Sequence, residues 1–515
     1  MNGAETVLRT LVAAGVDVCF ANPGTSEMQF VAGLDEVHGM RGVLGLFEGV
    51  VTGAADGYGR MAGRPAAALL HLGPGLGNGL ANLHNARRAN TPVVVVVGDH
   101  AVDHLRFDPP LASDIDAVAG TVSAWVRRSR AANELGRDTA MAVAAAMNAP
   151  GHVATLIVPA DHGWSVGGQV GQPLPATTAP VVAEVTVSAI AKTIQSGDPC
   201  TILLGGGGTH RRALLAAQRI AAATGARLLC ETFPARLQRG GALPAVERLG
   251  YFAEQAAAQL NGVRHLVLAG ARSPVAFFAY PGRPGSLVPP ECEQHVLATD
   301  HEDVTEALEH LADLVWTDTP LPTPPPRVSA PTGPLNPQSL AAVVGALLPE
   351  GAIVVDEANT SGLFLPAATA SAPEHDWLTL TGGAIGQGLP VATGAAVACP
   401  DRPVLCLESD GSAMYTISAL WTQAREGLDV TTVILDNRSY AILNLELLRT
   451  GASSIGPRAR QMLSLGPPGL DFVALATGMG VPASRATTAD ELAAELRRAL
   501  ADPGPHLVHA VLPLT

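Results

Sequence analysis

The chain alternates short runs of Val, Ile and Leu with Ala-rich segments of helical character along its whole length. Two stretches rich in Pro, Gly and Thr, 167–180 and 317–337, interrupt this alternation and divide the chain into three parts of similar size. Buried parallel strands are typically continuous apolar runs, and the connections between them are usually helices. The pattern predicts an α/β fold of three consecutive doubly wound parallel-sheet domains, at 1–166, 181–316 and 338–515, joined by extended linkers.

The apolar runs give the approximate positions of the strands. In the first part they lie at 18–21, 42–47, 66–71, 93–98 and 153–159. In the middle part they include 201–204, 227–230, 265–269 and 295–298, and in the third part 353–356, 404–407, 432–435 and 506–511.

Composition and charge narrow the class of protein. The net charge of −14, with no basic run, argues against nucleic acid or an anionic membrane as a partner. With 47% hydrophobic and only 15% charged residues, we expect large buried interfaces. No apolar run reaches the length of a membrane span. Six scattered cysteines without a CxxC pair, and an N-terminus unlike a signal peptide, predict a reduced, cytoplasmic protein.

The segment 405–440 carries the clearest chemical signal. An apolar strand leads into Asp410 and a turn of small residues, a helical pattern follows, and a second apolar strand ends just before Asn437. We expect this carboxylate and carboxamide to lie at the same edge of two parallel strands. Such oxygen ligands suit Mg²⁺ bound together with phosphate oxygens, and a helix N-terminus there would favour those phosphates. A plain α/β turn with a helix-capping Asp is the alternative.

This segment resembles the thiamine-diphosphate (ThDP) signature GDG…NN, with Ser409 and Asp436 as departures that flank the ligands. Together with the three-domain layout, it resembles the ThDP-dependent 2-oxo acid decarboxylase and acetolactate synthase superfamily over essentially the whole chain. Benzoylformate decarboxylase-like enzymes and short acetolactate synthase large subunits are the most similar members. The resemblance implies a pyrimidine-binding domain, a middle domain and a diphosphate-binding domain, in that order.

The resemblance assigns ligands in the third domain. It implies a Mg²⁺ site at Asp410, Asn437 and the backbone carbonyl of Ser439. The Gly383 carbonyl would accept a hydrogen bond from the aminopyrimidine, and Ile385 would be the bulky apolar residue that bends ThDP. The implied cofactor-binding residues are Asn359, Thr360, Gly383, Ile385, Gly411, Ser412 and Tyr415, with the Ser412 and Tyr415 side chains as candidate phosphate donors.

Glu48 is the predicted catalytic acid and base. It follows an apolar run and opens a helix predicted at 52–60, where Phe47 and Val51 should help its carboxyl group to hold a proton. Members of the superfamily need one glutamate to hydrogen-bond the aminopyrimidine, and Glu48 matches it. The alternative is a glutamate placed at a helix start only because the helix dipole favours it.

Thr25 and His71 are the predicted substrate contacts. They match the positions at which benzoylformate decarboxylase-like enzymes have a serine and a histidine, and they follow neighbouring strands of the predicted sheet. His71 is otherwise a core histidine. His100 and His104 are further candidates at the rim of the site.

The middle domain departs from the resemblance. Acetolactate synthases that bind FAD carry an RFDDR-like segment, but 271–281 lacks the acidic pair, so FAD is not expected. Phe277 lies near the position of a second active-site histidine of benzoylformate decarboxylase-like proteins. The glutamine of the acetolactate synthase segment DAFQE is absent around Leu111. Glu446 replaces an aromatic residue on the helix expected to overhang the substrate.

The resemblance implies a ThDP- and Mg²⁺-dependent lyase or transferase. It would decarboxylate a 2-oxo acid, and the resulting enamine would be protonated or joined to a second carbonyl compound in a carboligation. Since Glu48 and the diphosphate site lie in different domains, the arrangement implies a homodimer or homotetramer with active sites between subunits. The alternative is a catalytically silent paralogue that acts as a binding or regulatory partner. The side chain of the substrate is left open.

Overall fold

Three sheets with helices packed around them confirm the predicted α/β class. The computed structural model describes residues 1–316, 320, 326–451 and 456–514. The predicted linker 167–180 contains no helix or strand. Of the second linker, 317–319 and 321–325 lie outside the described residues.

The first sheet has six strands, all parallel, in the order β2-β1-β3-β4-β6-β5. Its strands are β1 (Val18–Asn22), β2 (Arg41–Leu44), β3 (Ala66–Leu70), β4 (Val93–Asp99), β5 (Trp125–Arg128) and β6 (Val153–Pro159). Its helices are α1 (Gly3–Ala13), α2 (Met28–Glu36), α3 (Glu48–Ala62), α4 (Leu72–Arg88), α5 (Ile115–Gly120), α6 (Leu135–Met147) and α7 (Ala160–Trp164).

The middle sheet has five parallel strands in the order β10-β8-β7-β11-β12. The strands of this part of the chain are β7 (Cys200–Leu204), β8 (Arg227–Cys230), β9 (Leu237–Arg239), β10 (Glu247–Arg248), β11 (His265–Ala269) and β12 (Glu293–Ala298). The helices are α8 (Glu184–Ile194), α9 (Arg211–Thr224), α10 (Ala253–Leu260) and α11 (Val304–Val315).

The third sheet has seven strands in the order β17-β18-β16-β15-β13-β14-β9. Its strands are β13 (Ile353–Glu357), β14 (His375–Thr379), β15 (Val404–Ser409), β16 (Val430–Asp436), β17 (Ala483–Ala486) and β18 (His506–Val511). Its longer helices are α12 (Pro337–Leu347), α14 (Gly388–Ala398), α16 (Ala419–Glu426), α17 (Ala441–Arg449) and α20 (Ala489–Ala501). The shorter ones are α13 (Leu365–Ala368), α15 (Asp410–Thr416), α18 (Pro457–Leu463) and α19 (Phe472–Gly478).

Local capping explains several helix ends. The Asn336 side chain accepts from the backbone N–H of Ser339 at the start of α12, where Pro337 takes the first helical position. Thr488 and Glu491 form the same reciprocal box at α20. Helix α3 ends where Gly63 adopts a left-handed conformation with φ of 66°.

Two sequence predictions need correction in detail. The strand predicted at 42–47 ends at Leu44, and the helix predicted at 52–60 begins earlier, at Glu48. The segment beginning at Asp410, predicted as a turn, is the first turn of helix α15. In both places the helix begins earlier in the chain than its apolar pattern indicates.

The first and third domains share a buried interface through α3 and α14. All residues of α14 from Gly388 to Val397 are buried. At Gly57 of α3 a Cβ would overlap the backbone carbonyl of Val391, so the two helix backbones are in direct contact. The buried Arg60 guanidinium pairs with Asp56 at 2.6 Å and donates to the backbone carbonyl of Thr379 at 2.8 Å.

The remaining global expectations concern membranes and cysteines. Among the described residues, no helix combines the length and the apolar character needed to cross a bilayer. The six cysteines are all free thiols.

Candidate active site

Asp410 and Asn437 meet at the carboxyl edge of the third sheet, as the sequence predicts. They follow β15 and β16, which are parallel neighbours with Ser409 opposite Leu435. The backbone N–H of Arg438 donates to Asp410 Oδ2 at 2.7 Å, and that of Gly411 to Oδ1 at 2.9 Å. Both predicted ligands are buried, at 2% and 4% exposure. This corner therefore holds a carboxylate and a carboxamide in fixed positions.

The electrostatics of this corner fit a divalent cation. Burial and, after it, the neighbouring Asp436 carboxylate raise the pKa of Asp410 to about 7. Burial would also raise the pKa of Asp436, but the hydrogen bond with His509 Nε2 at 2.8 Å holds it below its ordinary value. A hard cation would neutralise the two adjacent carboxylates, and oxygen ligands are those that Mg²⁺ takes. Ser439 lies beside them, its N–H bonded to Asn437 Oδ1 at 3.0 Å.

The predicted diphosphate contacts surround this corner. Asn359 and Thr360 form the turn after β13, and the Asn359 amide donates to Ser409 Oγ at 3.1 Å. At Gly411 a Cβ would lie 2.5 Å from the Tyr440 ring, so only glycine allows this ring to cover the start of α15. The predicted phosphate donor Tyr415 has a side chain that is 56% exposed on the same helix. These residues therefore lie around the N-terminal turn of α15, the end of a helix that favours an anion.

The structure gives the Ser412 hydroxyl a partner within the protein, and its predicted role toward the phosphates stays a prediction. Ser412 is buried, and its hydroxyl donates to the Glu408 carboxylate beneath the site. A hydroxyl held in this way is directed into the core because Glu408 needs a donor there. An anion at this position would be bound by backbone N–H groups in the first turn of α15.

A pair of buried carboxyl groups, Glu357 and Glu408, supports the site from below. They lie opposite each other on β13 and β15. The backbone N–H groups of Gly386 and Gly388 donate to Glu357 at 2.8 and 2.5 Å, which fixes the loop before α14. Burial raises the pKa of Glu357 to about 7 and that of Glu408 well above its ordinary value. Sequence reasoning assigned no role to either residue, although an acid at the end of each of two apolar strands was a visible signal.

Replacing Glu408 with Gln should reduce the pH dependence of stability. Carboxyls with raised pKa values are protonated in the folded state between about pH 4.5 and 7, where the unfolded chain has already ionised. Unfolding free energy is therefore lost as the pH rises through this window and beyond. As the pH rises from 5 to 8, Glu408→Gln should therefore lose less unfolding free energy than the wild type.

Thermal unfolding of both proteins without cofactor, from pH 5 to 8, measures this difference. The exposed Glu36 is the matched control, because Glu36→Gln removes a carboxylate without changing a buried pair. Parallel curves for wild type and Glu408→Gln would contradict the prediction.

Glu48 lies at the start of α3, half-buried, as predicted. Its Oε2 accepts from the Asn78 amide at 3.0 Å. Further along α4, the Asn82 amide donates to the carbonyl of Gly49 at 2.8 Å and approaches that of Gly386 at 3.3 Å. Asn82 thus joins the start of the Glu48 helix to the loop that carries Gly383 and Ile385. Gly383 adopts φ of 75° and Ile385 is partly buried.

Thr25 follows strand β1, and His71 follows the neighbouring strand β3, as the sequence predicts. Their neighbourhood contains a residue that sequence reasoning overlooked, the buried Glu27. Its Oε2 binds His71 Nδ1 at 2.7 Å and the backbone N–H of Gly24 at 2.8 Å. Burial raises the pKa of Glu27 above its ordinary value, although both partners act to lower it. If Nδ1 carries the proton, His71 Nε2 is left as an acceptor, while Thr25 is exposed beside it.

The other candidates lie on loops of the first and middle parts of the chain. The rings of His100 and His104 are 5.7 Å apart on the loop after β4, and Leu111 is exposed further along the same loop. Phe277 packs edge-on against Phe233 at 5.3 Å between ring centroids.

Helix α17 connects the middle domain to the corner that contains Asp410 and Asn437. It begins directly after Tyr440, and its Glu446 accepts a hydrogen bond from Tyr280 Oη at 2.6 Å. Arg449 lies over the Tyr280 ring and pairs with Glu254 at 2.7 Å. The middle domain therefore holds the helix that follows the predicted Mg²⁺ ligands.

Comparison with known proteins agrees with this geometry. Residues 1–119 match the thiamine pyrophosphate enzyme N-terminal TPP binding domain, and 363–510 match the C-terminal TPP binding domain. The chain is 63% identical over 515 residues to "Putative acetolactate synthase large subunit IlvX" of Mycobacterium tuberculosis, covering 100% of this chain and 99% of that protein. It is 30% identical to benzoylformate decarboxylase of Pseudomonas aeruginosa, over 96% of each chain.

A solved structure shows the same architecture. The ThDP-dependent 4-hydroxybenzoylformate decarboxylase of Rhodococcus jostii RHA1 superposes with a TM-score of 0.88 at 26% identity, covering 100% of both chains. The similarities to these three proteins cover 96–100% of this chain. The chain therefore belongs to the family of ThDP-dependent enzymes, of the acetolactate synthase and benzoylformate decarboxylase type.

Proposed function

We propose that this chain binds ThDP with Mg²⁺ and uses them to decarboxylate a 2-oxo acid, with release of an aldehyde or transfer of the acyl fragment to a second carbonyl compound. The observation that carries the proposal is the buried corner at Asp410 and Asn437, where two neighbouring strands end beside the N-terminus of α15. The chemistry that ThDP supplies in such an enzyme is a carbon nucleophile and a sink for the electron pair that remains when CO₂ leaves.

The residues of the third domain would hold the cofactor. Asp410, Asn437 and the Ser439 carbonyl would bind Mg²⁺, and the N–H groups at the start of α15 would bind the diphosphate. The remaining predicted contacts to the cofactor are Asn359, Thr360, Gly383, Ile385, Gly411 and Tyr415.

Glu48 would move the proton at the aminopyrimidine, as a half-buried carboxyl that one amide donor, Asn78, holds in place. His71 and Thr25 would bind the 2-oxo acid at the edge of the first sheet. The Glu27 carboxylate orients His71, which leaves one ring nitrogen free to accept or deliver a proton at the substrate.

If the aromatic cluster of the middle domain borders the substrate, as the resemblance implies for Phe277, it favours an apolar, aryl side chain on the substrate. Phe277, Phe233 and Tyr251 form a cluster of three rings with centroid separations of 5.0 to 6.3 Å. Tyr280 and Glu446 connect the same part of the middle domain to α17. A wall of aromatic rings accommodates a phenyl group better than a methyl group, because stacking and apolar burial both increase with contact area. This supports a benzoylformate-like acid over pyruvate.

A panel of 2-oxo acids, scored separately for CO₂, aldehyde and acyloin, tests this function. The expected result is CO₂ release that requires both ThDP and Mg²⁺, faster for aryl than for short alkyl acids. Calorimetry with ThDP and Mg²⁺ is run beside it. Absence of cofactor binding would overturn the proposal, and binding without CO₂ from any acid would support a silent regulatory paralogue.

The assembly proposed for this function is a homodimer or homotetramer in the cytoplasm. Support comes from the hydrophobic composition, the free cysteines and the placement of Glu48 and Asp410 in different domains. A sizing experiment in which the active species is a monomer would contradict it.

A further inference from the structure

Three potential metal ligands converge on the middle sheet, away from the site described above. His265 Nδ1 lies 3.1 Å from His295 Nε2. Glu293 Oε2 lies 3.8 Å from the first of these nitrogens and 3.9 Å from the second. Among the described residues, this is the group of His and carboxylate side chains whose donor atoms lie close enough together to hold one metal ion.

The sheet itself brings these donors together. β11 and β12 are parallel neighbours, with His265 opposite Glu293 and Val267 opposite His295. Residues two apart in a strand share a face, so Glu293 and His295 project on the same side. Because His265 is the first residue of β11, the cluster lies at the amino edge of the sheet. The proposed active site uses carboxyl edges, so the two sites are separate.

The donor spacing is close to that of a tetrahedral site. Zn²⁺ binds imidazole nitrogen at about 2.0–2.1 Å, which places two such nitrogens about 3.3 Å apart. The two histidine nitrogens are already near this spacing. The carboxylate is slightly too distant, but the Glu293 side chain is 70% exposed and free to adjust. Both histidine side chains are only 17% exposed, so their ring positions are set by packing.

A second carboxylate supports one of the ligands. Asp198 Oδ2 lies 3.7 Å from His265 Nε2, the ring nitrogen that faces away from the cluster. A carboxylate at this place favours the tautomer that carries its proton on Nε2 and leaves Nδ1 as a lone-pair donor. Carboxylate–histidine–metal arrangements of this kind orient the ring in protein metal sites.

We propose that His265, His295 and Glu293 form a binding site for a divalent transition metal of the Zn²⁺ class. Two imidazoles and one carboxylate suit Zn²⁺ and do not suit Mg²⁺, which prefers oxygen ligands. Three protein ligands leave a fourth position for water. The bound ion would fasten the edge strand β12 to β11. The alternative is a direct hydrogen bond between the two rings, with no metal.

Titration of the full-length protein with Co²⁺, after treatment with a chelator, tests the proposal. Saturating Mg²⁺ is present throughout to occupy the oxygen-ligand site at Asp410. The expected result is one equivalent of Co²⁺ per chain with the visible absorption of a four- or five-coordinate ion, displaced by Zn²⁺. His295→Gln should abolish this signal, and Asp198→Asn should weaken the affinity about 10-fold.

Two further variants keep the test decisive. Glu293→Gln changes an exposed side chain, so it should fold normally and still weaken Co²⁺ binding. His301→Gln is the matched control, because His301 is exposed beside Asp300 at 3.7 Å in the same domain and should change nothing. Absence of bound Co²⁺ and Zn²⁺, or affinity unchanged in His295→Gln and Glu293→Gln, would overturn the proposal whatever the activity with 2-oxo acids.

Discussion

Replacing Glu48 with Gln should lower CO₂ release by about 10²–10⁴-fold, the contribution typical of one positioned acid and base. The amide keeps the size and polarity of the side chain and can still hydrogen-bond Asn78. It cannot take up or release the proton that the aminopyrimidine requires. Because the proposed diphosphate and Mg²⁺ ligands are in the third domain, ThDP should remain bound. Exchange of the thiazolium C2 hydrogen for deuterium, followed by NMR, should therefore be lost while calorimetry still detects binding.

Glu36→Gln provides the control, since Glu36 is an exposed carboxylate of the same domain. It should leave both exchange and CO₂ release unchanged. Unchanged exchange in Glu48→Gln would refute the role given to Glu48.

Mixing variants extends the Glu48 prediction to the assembly. Glu48→Gln and Asp410→Ala are each expected to be inactive. If a site combines Glu48 of one subunit with Asp410 of its partner, a mixed dimer regains one intact site, and co-refolded or co-expressed variants recover CO₂ release. If each chain builds its own site, the mixture stays inactive. Asn82 bridges Gly49 and Gly386, which brings the Glu48 helix and the third domain close together within one chain. The mixing experiment is therefore needed to distinguish a site within one chain from a site between subunits.

The sequence allowed the backbone frame of the site to be predicted better than its side-chain contacts. Asp410 and Asn437 could be placed together because parallel neighbouring strands end at the same edge of a sheet. The direction of the Ser412 hydroxyl could not be predicted, since it depends on Glu408 in the neighbouring strand. Glu27 was overlooked for the same reason, because its value as a partner of His71 depends on a contact across the sheet.

The fold shows the same division between local and distant information. Most long strands were found from their apolar runs, whereas β5 and β17, with intermediate burial, give weak signals. No local pattern indicates that β9 leaves the middle part and pairs antiparallel with β14 of the third sheet. The contact between α3 and α14 was also invisible, because small residues in a helix do not identify the helix they pack against.

That contact is the basis of the second large effect. Gly394→Ala should lower the free energy of unfolding by about 3 kcal/mol or more, the upper range for overpacking a core. A Cβ at Gly394 would overlap the backbone carbonyl of Ala54, and a backbone atom cannot move aside as a flexible side chain can. Alanine favours a helix over glycine by about 1 kcal/mol, so the clash outweighs the gain in helix propensity. Urea unfolding measures the difference.

Gly77→Ala is the matched control for this prediction. Gly77 lies inside helix α4, where a Cβ meets nothing within 4 Å. The same chemical change should leave the protein unchanged or stabilise it by up to about 1 kcal/mol. Because α3 begins with Glu48 and α14 follows the loop of Gly383, separating these helices should also weaken CO₂ release in any Gly394→Ala protein that remains folded. Equal stability of the two variants would show that the helices can separate at no cost, and that Glu48 is positioned by other contacts.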